Sequence, residues 1–146
     1  RALPLLGDAP FVIHNSDSVW IEGPHPCLEQ LAAAWDPGTM DTLMLLAPAT
    51  GTLGYEGRGD FQMDANDTVF RPAMGQMAPF VFTGVSIAHP RLFTDAPEGA
   101  FSLNLLWDRA IAAGRAVGVR HEGTWMHVGT PQAVGKAEDR IRREQV

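Results

Sequence analysis

The sequence contains a single cysteine, Cys27, among its 146 residues. An internal disulfide is therefore excluded, and the absence of a recognisable signal segment makes a reducing cytoplasm the expected location. No apolar run approaches the roughly 20 residues that span a bilayer, so no membrane segment is expected. Positive charge is also scarce: 11 Lys and Arg stand against 17 Asp and Glu, a net charge of −6. This balance argues against nucleic-acid binding, which needs a cationic surface.

The residues that are present are typical of a globular protein. Hydrophobic residues make up 45% of the chain and charged residues 19%, which is enough apolar material for a core at this size. We expect one domain over residues 1–146. Short apolar runs alternate with helical patterns along the chain, and this alternation favours an α/β layered fold.

Apolar runs and periodicity predict the individual elements. Helices are predicted over 25–35, from the Ser102 cap to Gly114, and after Thr130. Gly84 lies inside the longest predicted strand, where a glycine marks either a bulge or the close approach of a ligand. The predicted strands cover 10–15, 42–47, 80–88, 117–122 and 124–128, with a hairpin of 60–64 and 68–71.

A polar cluster, Asn15-Ser16-Asp17, ends the first predicted strand. Ligands of open α/β sheets bind at the carboxyl ends of strands. A carboxylate at such a place can hold a hard divalent cation together with phosphate oxygens. Asn, Ser and Asp are equally common turn formers, and taken alone the cluster favours a simple turn.

Three further patterns are weaker. Gly129 and Thr130 place backbone N–H groups at a helix start, which suits a phosphate but is also an ordinary helix cap. The stretch Gly57-Arg58-Gly59-Asp60 either cradles a ligand, with Arg58 as an anion contact, or connects a hairpin. The five histidines lack the spacing of known zinc motifs.

The order of these motifs is more specific than any one of them. Taken together they resemble the sugar-1-phosphate nucleotidyltransferases, in particular the bacterial branch that includes N-acetylmuramate 1-phosphate uridylyltransferases and mannose-1-phosphate guanylyltransferases. The resemblance covers essentially the whole chain and corresponds to the C-terminal two-thirds of that domain, so that its N-terminal part is missing. The motifs that carry it are Asn15-Ser16-Asp17, Gly59-Asp60-Phe61, Phe82-Thr83-Gly84-Val85-Ser86, Gly99-Ala100-Phe101 and Trp125-x-x-Val128-Gly129-Thr130.

The resemblance implies a three-layer αβα, Rossmann-like fold with a mixed, mostly parallel sheet. It also implies an Mg²⁺-dependent reaction in which a nucleoside triphosphate and a sugar 1-phosphate give a nucleotide-sugar and pyrophosphate. The oxygen of the sugar phosphate attacks the α-phosphorus directly, and catalysis is mainly positioning and charge neutralisation.

The same resemblance assigns roles to residues. Asp17 is the catalytic metal ligand, and Asn15 and Ser16 shape the site around it. His127 stands where the family has an aspartate as second metal ligand. On the sugar side the expected contacts are Asp60, Thr83 and Gly84, the last because its missing side chain leaves room for the ring.

Two departures from the family pattern leave alternatives open. A neutral imidazole such as His127 is a poorer Mg²⁺ ligand than a carboxylate. The glycine-rich loop that grips the triphosphate in the family is absent, so this chain is not expected to catalyse the reaction alone. We expect an apolar edge or face that leads to self-association or binds an N-terminal segment. The alternatives are a glycosyltransferase of related fold and a non-catalytic nucleotide-sugar-binding module.

Overall fold

The structure, a computed structural model, describes residues 2–144. Four helices and eight strands follow one another along the chain. In order they are α1 (Leu3–Leu6), β1 (Phe11–His14), β2 (Ser18–Ile21), α2 (Cys27–Ala34), β3 (Thr42–Pro48), β4 (Gln62–Met63), β5 (Val69–Phe70), β6 (Phe80–Ala88), α3 (Asn104–Ala112), β7 (Ala116–Arg120), β8 (Thr124–His127) and α4 (Pro131–Glu144).

The central sheet has four strands in the order β1-β6-β3-β7. Strand β6 is antiparallel to both β1 and β3, whereas β7 is parallel to β3. Strands β1, β3 and β7 therefore run in one direction, and only β6, which lies between β1 and β3, is reversed. This confirms the mixed α/β sheet. Because the reversed strand is internal, two of the three pairings are antiparallel although most strands share a direction.

Helices cover both faces of the central sheet, as the burial of β3 requires. Leu43 and Leu45 of β3 pack with Cys27 and Leu31 of α2 on one face. Met44 and Leu46 point to the other face, where they pack with Leu106, Trp107 and Ala110 of α3. The alternation of side chains along a strand produces these two apolar clusters. The sheet therefore lies between α2 and α3, which is the expected three-layer αβα arrangement.

A separate two-stranded sheet joins β2 and β8, with Ser18 opposite His127 and Ile21 opposite Thr124. Strand β2 is not predicted from the sequence. It has only four residues, it follows a polar turn, and its partner lies near the other end of the chain, so no local pattern indicates it.

The edges of the central sheet differ. The predicted hairpin forms as β4 and β5 and covers the edge of β7, where the Gly118 N–H donates to the Asp67 carbonyl at 2.9 Å. No strand among residues 2–144 pairs with the outer edge of β1, and Val12 of that strand is 58% exposed. Within the same residues, no helix combines the length and the apolar character that crossing a bilayer requires.

A charge cluster fixes the start of β3. The carboxylate of Asp41 accepts hydrogen bonds from Arg91 and, at 2.8 Å, from Arg115 Nε. Arg91 also donates to the Met40 carbonyl at 2.6 Å. Burial alone works to raise the pKa of Asp41, but the hydrogen bonds from the two arginines outweigh it and hold that pKa below its ordinary value. The ionised carboxylate therefore stabilises the fold.

We predict that Asp41→Asn lowers the free energy of unfolding at pH 7 by about 1–3 kcal/mol, since the variant leaves two arginines without their shared charge. The pKa of Asp41 is lowered in the folded state, so its contribution is complete above the unfolded pKa and is lost as the pH falls through the folded one. Urea unfolding at several pH values measures both effects. Asp139→Asn, on the exposed surface of α4, is the matched control and is expected to change stability little. An equal loss for Asp41→Asn at every pH would contradict the prediction.

Candidate functional site

A pocket of about 220 Å³ lies at the carboxyl end of β1. Most of the residues expected from the sequence meet there, although they come from four separate parts of the chain. Ser16 is the exception, since it is exposed in the turn after β1 and does not line the pocket. The lining residues are Asn15, Asp17, Tyr55, Asp60, Val81, Phe82, Thr83, Gly84, Trp125 and His127.

Asp17 and His127 face each other because β2 and β8 pair. The Val128 N–H donates to the Asp17 carbonyl at 2.8 Å, which fixes the turn after β1 to the end of β8. His127 Nδ1 then lies 3.9 Å from Asp17 Oδ2, and the two side chains are 36% and 52% exposed. This separation is too long for a hydrogen bond and short enough for both atoms to reach one ion.

Asp17 and His127 could bind a hard cation only if a further ligand completed its coordination. Mg²⁺ is typically held by one or two carboxylates together with waters and substrate phosphates. Asp17 supplies one carboxylate oxygen, and His127 supplies a nitrogen that Mg²⁺ prefers less. The site therefore fits a cation that arrives with, or is completed by, phosphate oxygens.

Thr83 lies in the wall of the pocket, and its polar groups are bonded within the core. Its side chain is fully buried, and its Oγ1 donates to the Leu45 carbonyl at 2.8 Å. Its own carbonyl accepts from Trp125 Nε1 at 2.9 Å. The hydroxyl is therefore used by the core, and the expected contact of Thr83 with the sugar stays a prediction.

Position 84 requires glycine for two reasons, its backbone conformation and the close approach of Asn15. Its φ is +88°, and a Cβ built at this position would lie 2.8 Å from the Asn15 Cβ. The register of β6 against β3 shifts in this region, which confirms the bulge. Asn15 lies where a side chain at position 84 would be, and Gly84 lines the pocket beside it. Its contact with the sugar ring stays a prediction.

Asp60 and Tyr55 form another side of the pocket. Asp60 Oδ2 accepts from the Phe82 N–H at 2.8 Å, and the Tyr55 hydroxyl accepts from the Gly59 N–H at 3.0 Å. Burial, followed by the charge of Asp60, raises the pKa of Tyr55. Arg58 is exposed and does not line the pocket, which favours the hairpin connection over the ligand cradle for residues 57–60.

An aromatic wall was not expected from the sequence. The rings of Tyr55 and Trp125 meet edge to face with centroids 6.3 Å apart, and Trp125 stacks on His127 at 6.2 Å. Two signals existed: Trp125 belongs to a recognised motif, and Tyr55 is the single tyrosine of the chain, in a glycine-rich loop. Neither signal indicates that the loop folds back over β8.

The charge of the pocket limits what it can bind. Its described lining includes two carboxylates, Asp17 and Asp60, and no Lys or Arg. A phosphate would be repelled here unless a cation or basic groups from elsewhere were also present. The volume of about 220 Å³ is also below the range of roughly 300–1,000 Å³ that small-molecule sites occupy. The pocket can therefore hold only part of a small-molecule ligand, and a phosphate only together with a cation or with basic groups from elsewhere.

Curated relatives match nearly all of the chain. It is 46% identical over 141 residues to an N-acetylmuramate alpha-1-phosphate uridylyltransferase of Caulobacter vibrioides, which covers 97% of the chain and 58% of that relative. It is 28% identical over 131 residues to the enzyme of the same name from Neisseria meningitidis serogroup B, covering 89% of the chain and 54% of the relative. The chain is homologous to part of these uridylyltransferases. It spans little more than half their length, and no protein-family model matches it.

Solved structures confirm the fold. An apo UDP-glucose pyrophosphorylase superposes with a TM-score of 0.75 at 15% identity, over 99% of this chain and 58% of that one. A UTP-bound UGPase from Acinetobacter baumannii gives a TM-score of 0.70 at 13% identity, over 93% and 52%. The resemblance to sugar-1-phosphate nucleotidyltransferases is thus confirmed. The roles assigned to individual residues stay predictions.

We predict that Gly84→Ala lowers the free energy of unfolding by about 1–3 kcal/mol, because an L-residue is strained at this φ and its Cβ would collide with Asn15. Gly135→Ala is the matched control: no atom lies within 4 Å of its built Cβ, and alanine in the α4 interior should stabilise by about 0.5–1 kcal/mol. Chemical unfolding compares the two. Equal effects of the two substitutions would show that Gly84 is not conformationally required.

Proposed function

We propose that this chain is part of an Mg²⁺-dependent nucleotidyltransferase that converts a nucleoside triphosphate and a sugar 1-phosphate into a nucleotide-sugar and pyrophosphate. The observation that carries the proposal is the meeting of Asp17 and His127 at the carboxyl end of β1, 3.9 Å apart. The 46% identity to a uridylyltransferase supports the same class of reaction. It is also the class in which an acidic pocket is chemically reasonable, because the substrates bring phosphate and metal together.

In the proposed reaction an oxygen of the sugar phosphate attacks the α-phosphorus, and the bond to the departing pyrophosphate breaks. Asp17, with His127 beside it, would hold the metal ion, which lowers the charge of the phosphates when it is bound. Asn15 lines the same pocket, and its amide could donate to an oxygen of the substrate. Trp125 and Tyr55 present an apolar wall that can exclude water from one side of the ligand.

The substrates of the Caulobacter relative are the first candidates. Its name indicates uridylyl transfer to N-acetylmuramate α-1-phosphate, and we propose UTP and this sugar phosphate here. We place the reaction in the cytoplasm, where nucleoside triphosphates are available and where the free thiol of Cys27 remains reduced.

One observation favours a second function. Imidazole at position 127 is a poorer Mg²⁺ ligand than a carboxylate, and the described lining of the pocket includes no Lys or Arg. A non-catalytic module that binds nucleotide-sugars is therefore the competing proposal. A glycosyltransferase would consume a nucleotide-sugar without releasing pyrophosphate.

The proposed enzyme needs more protein than this chain. The open edge of β1 exposes Val12, and a largely apolar cavity of about 840 Å³ lies next to the same strand, lined by α1, Phe11, Phe93 and residues 96–101. An unpaired edge beside an apolar hollow favours a covering segment. We propose that an N-terminal segment or a second copy of the chain pairs there and brings the basic groups that the pocket lacks.

We predict that Asp17→Asn lowers pyrophosphate-forming turnover about 100-fold or more, because the metal would lose its only nearby carboxylate among these donors. The assay uses the natural polypeptide in which this sequence occurs, with UTP, N-acetylmuramate 1-phosphate and Mg²⁺. Asp139→Asn should leave turnover unchanged. Turnover by Asp17→Asn at the wild-type rate would overturn the role of Asp17, and titration that shows nucleotide-sugar binding without turnover in the wild type would favour the non-catalytic module.

For the edge of β1, we predict concentration-dependent self-association of the chain studied without any further segment, measured by sedimentation velocity. Val12→Lys should weaken this association, because it places a charge on the surface that the partner would cover. Val134→Lys, at a comparably exposed site on α4, is the control and should not. A monomer at all concentrations would show that the surface needs no partner.

A further inference from the structure

A second group of ligand-type side chains lies away from the pocket. Glu22 follows β2, Cys27 begins α2, and His121 follows β7. A carboxylate oxygen, the thiol sulfur and an imidazole nitrogen all lie within 4.8 Å of one another, and among residues 2–144 this is the one group of three or more His, Cys, Asp or Glu so placed.

His121 is the most informative member. It is only 1% exposed, and neither ring nitrogen has a hydrogen-bond partner. The Ile21 carbonyl lies near enough to affect its pKa but does not meet hydrogen-bond geometry. A buried imidazole without hydrogen-bond partners destabilises the folded state, and such a group needs an explanation. The explanation offered by its surroundings is a ligand shared with the thiol and the carboxylate.

The backbone around His121 holds the group together. A Cβ at Gly123 would lie 1.9 Å from the Ile21 carbonyl oxygen, and a Cβ at Gly23 would lie 2.8 Å from the Glu122 carbonyl carbon. The connection after β2 and the connection after β7 are therefore in a contact that only glycines permit. This contact places Glu22 against His121 independently of any ligand.

Glu22 is oriented by hydrogen bonds. Trp20 Nε1 donates to its Oε1 at 2.8 Å, and the Cys27 N–H donates to its Oε2 at 2.9 Å. The Cys27 thiol donates weakly to the same carboxylate at 3.5 Å. Burial alone would raise the pKa of Glu22, but these hydrogen bonds outweigh it and lower that pKa. An ionised carboxylate held by outer donors is the usual condition of a metal ligand.

We propose that Glu22, Cys27 and His121 bind a transition-metal ion of the zinc type. Thiolate, imidazole and carboxylate together are a zinc ligand set, whereas Mg²⁺ avoids sulfur. Three protein ligands leave a fourth position for water. As the metal–sulfur bond forms, the thiol proton passes to solvent.

The proposed ion differs in role and place from the Mg²⁺ of the proposed reaction. It joins the end of β2 to the connection between β7 and β8, and so fixes the pairing that presents His127 to Asp17. We assign it a structural function. Burial, followed by the charge of Glu22, raises the pKa of Cys27 to about 12, so without metal the thiol stays protonated and unreactive.

Cobalt is the probe that tests the site. The chain is freed of metal by a chelator and titrated with Co²⁺. Because Cys27 is the single cysteine, a thiolate-to-cobalt absorption band can come only from this residue. We expect the band to saturate at one ion per chain, and Zn²⁺ to abolish it.

The variants distinguish the loss of a metal ligand from the loss of folding. Cys27→Ser should abolish the band, and His121→Asn and Glu22→Gln should each weaken Co²⁺ binding by roughly tenfold or more. His89→Asn, which changes a distant histidine, and Asp17→Asn should retain it. Far-ultraviolet circular dichroism checks the folding of each variant, and the thermal midpoint should rise with Zn²⁺ in the wild type but much less in Glu22→Gln.

The proposed site would be overturned if the wild type showed no band. It would also be overturned if the folded Glu22→Gln and His121→Asn variants bound Co²⁺ as tightly as the wild type. These readouts do not use turnover, so their failure leaves the proposed reaction untouched, and failure of that reaction leaves this site standing.

Discussion

The antiparallel pairing of β2 with β8 joins residues from opposite ends of the chain, and both candidate sites depend on it. At one end of the pair, Ser18 lies opposite His127, so the turn that carries Asp17 is held against the end of β8. At the other end, Ile21 lies opposite Thr124, and the close contact through Gly23 and Gly123 brings Glu22 to His121. A two-stranded ribbon is marginal by itself. It is stable here because Trp20 and Trp125 pack onto the central sheet and Trp125 donates to the Thr83 carbonyl.

The charge of the pocket indicates which groups this chain supplies to the site and which it does not. The chain is acidic overall, and the described lining of the pocket contributes carboxylates without basic groups. Such a surface can hold a cation but cannot by itself neutralise a triphosphate. The chain also spans 58% of its Caulobacter relative and leaves the edge of β1 open. These observations support the proposal that a further segment or a second copy of the chain pairs with β1 and brings cationic groups to the pocket.

Several residues are explained by the fold before any chemistry is considered. The Thr83 hydroxyl is used by the core, and Gly84 is required by a bulge and by Asn15. Both lie in one of the motifs that carry the family resemblance, yet the Thr83 side chain and the Gly84 backbone belong to the scaffold that shapes the pocket. Asp17, His127 and Asp60 are different, because each exposes polar atoms to the cavity. A motif can therefore combine residues whose side chains line the pocket with residues that shape it from the core.

The sequence by itself determined the layered α/β class, most helices and strands, and the placing of Asp17 at a strand end, because these follow from local periodicity and turn chemistry. The order of motifs also indicated the family and grouped most of the pocket residues. The sequence alone could not determine three features: strand β2, the aromatic wall of Tyr55 and Trp125, and the approach of His121 to Cys27. Those features arise from contacts between residues distant in the chain, and no single segment carries a signal for its partner. Only the tertiary structure decided them, since side-chain burial and long-range strand pairing are properties of the packed molecule and not of its segments.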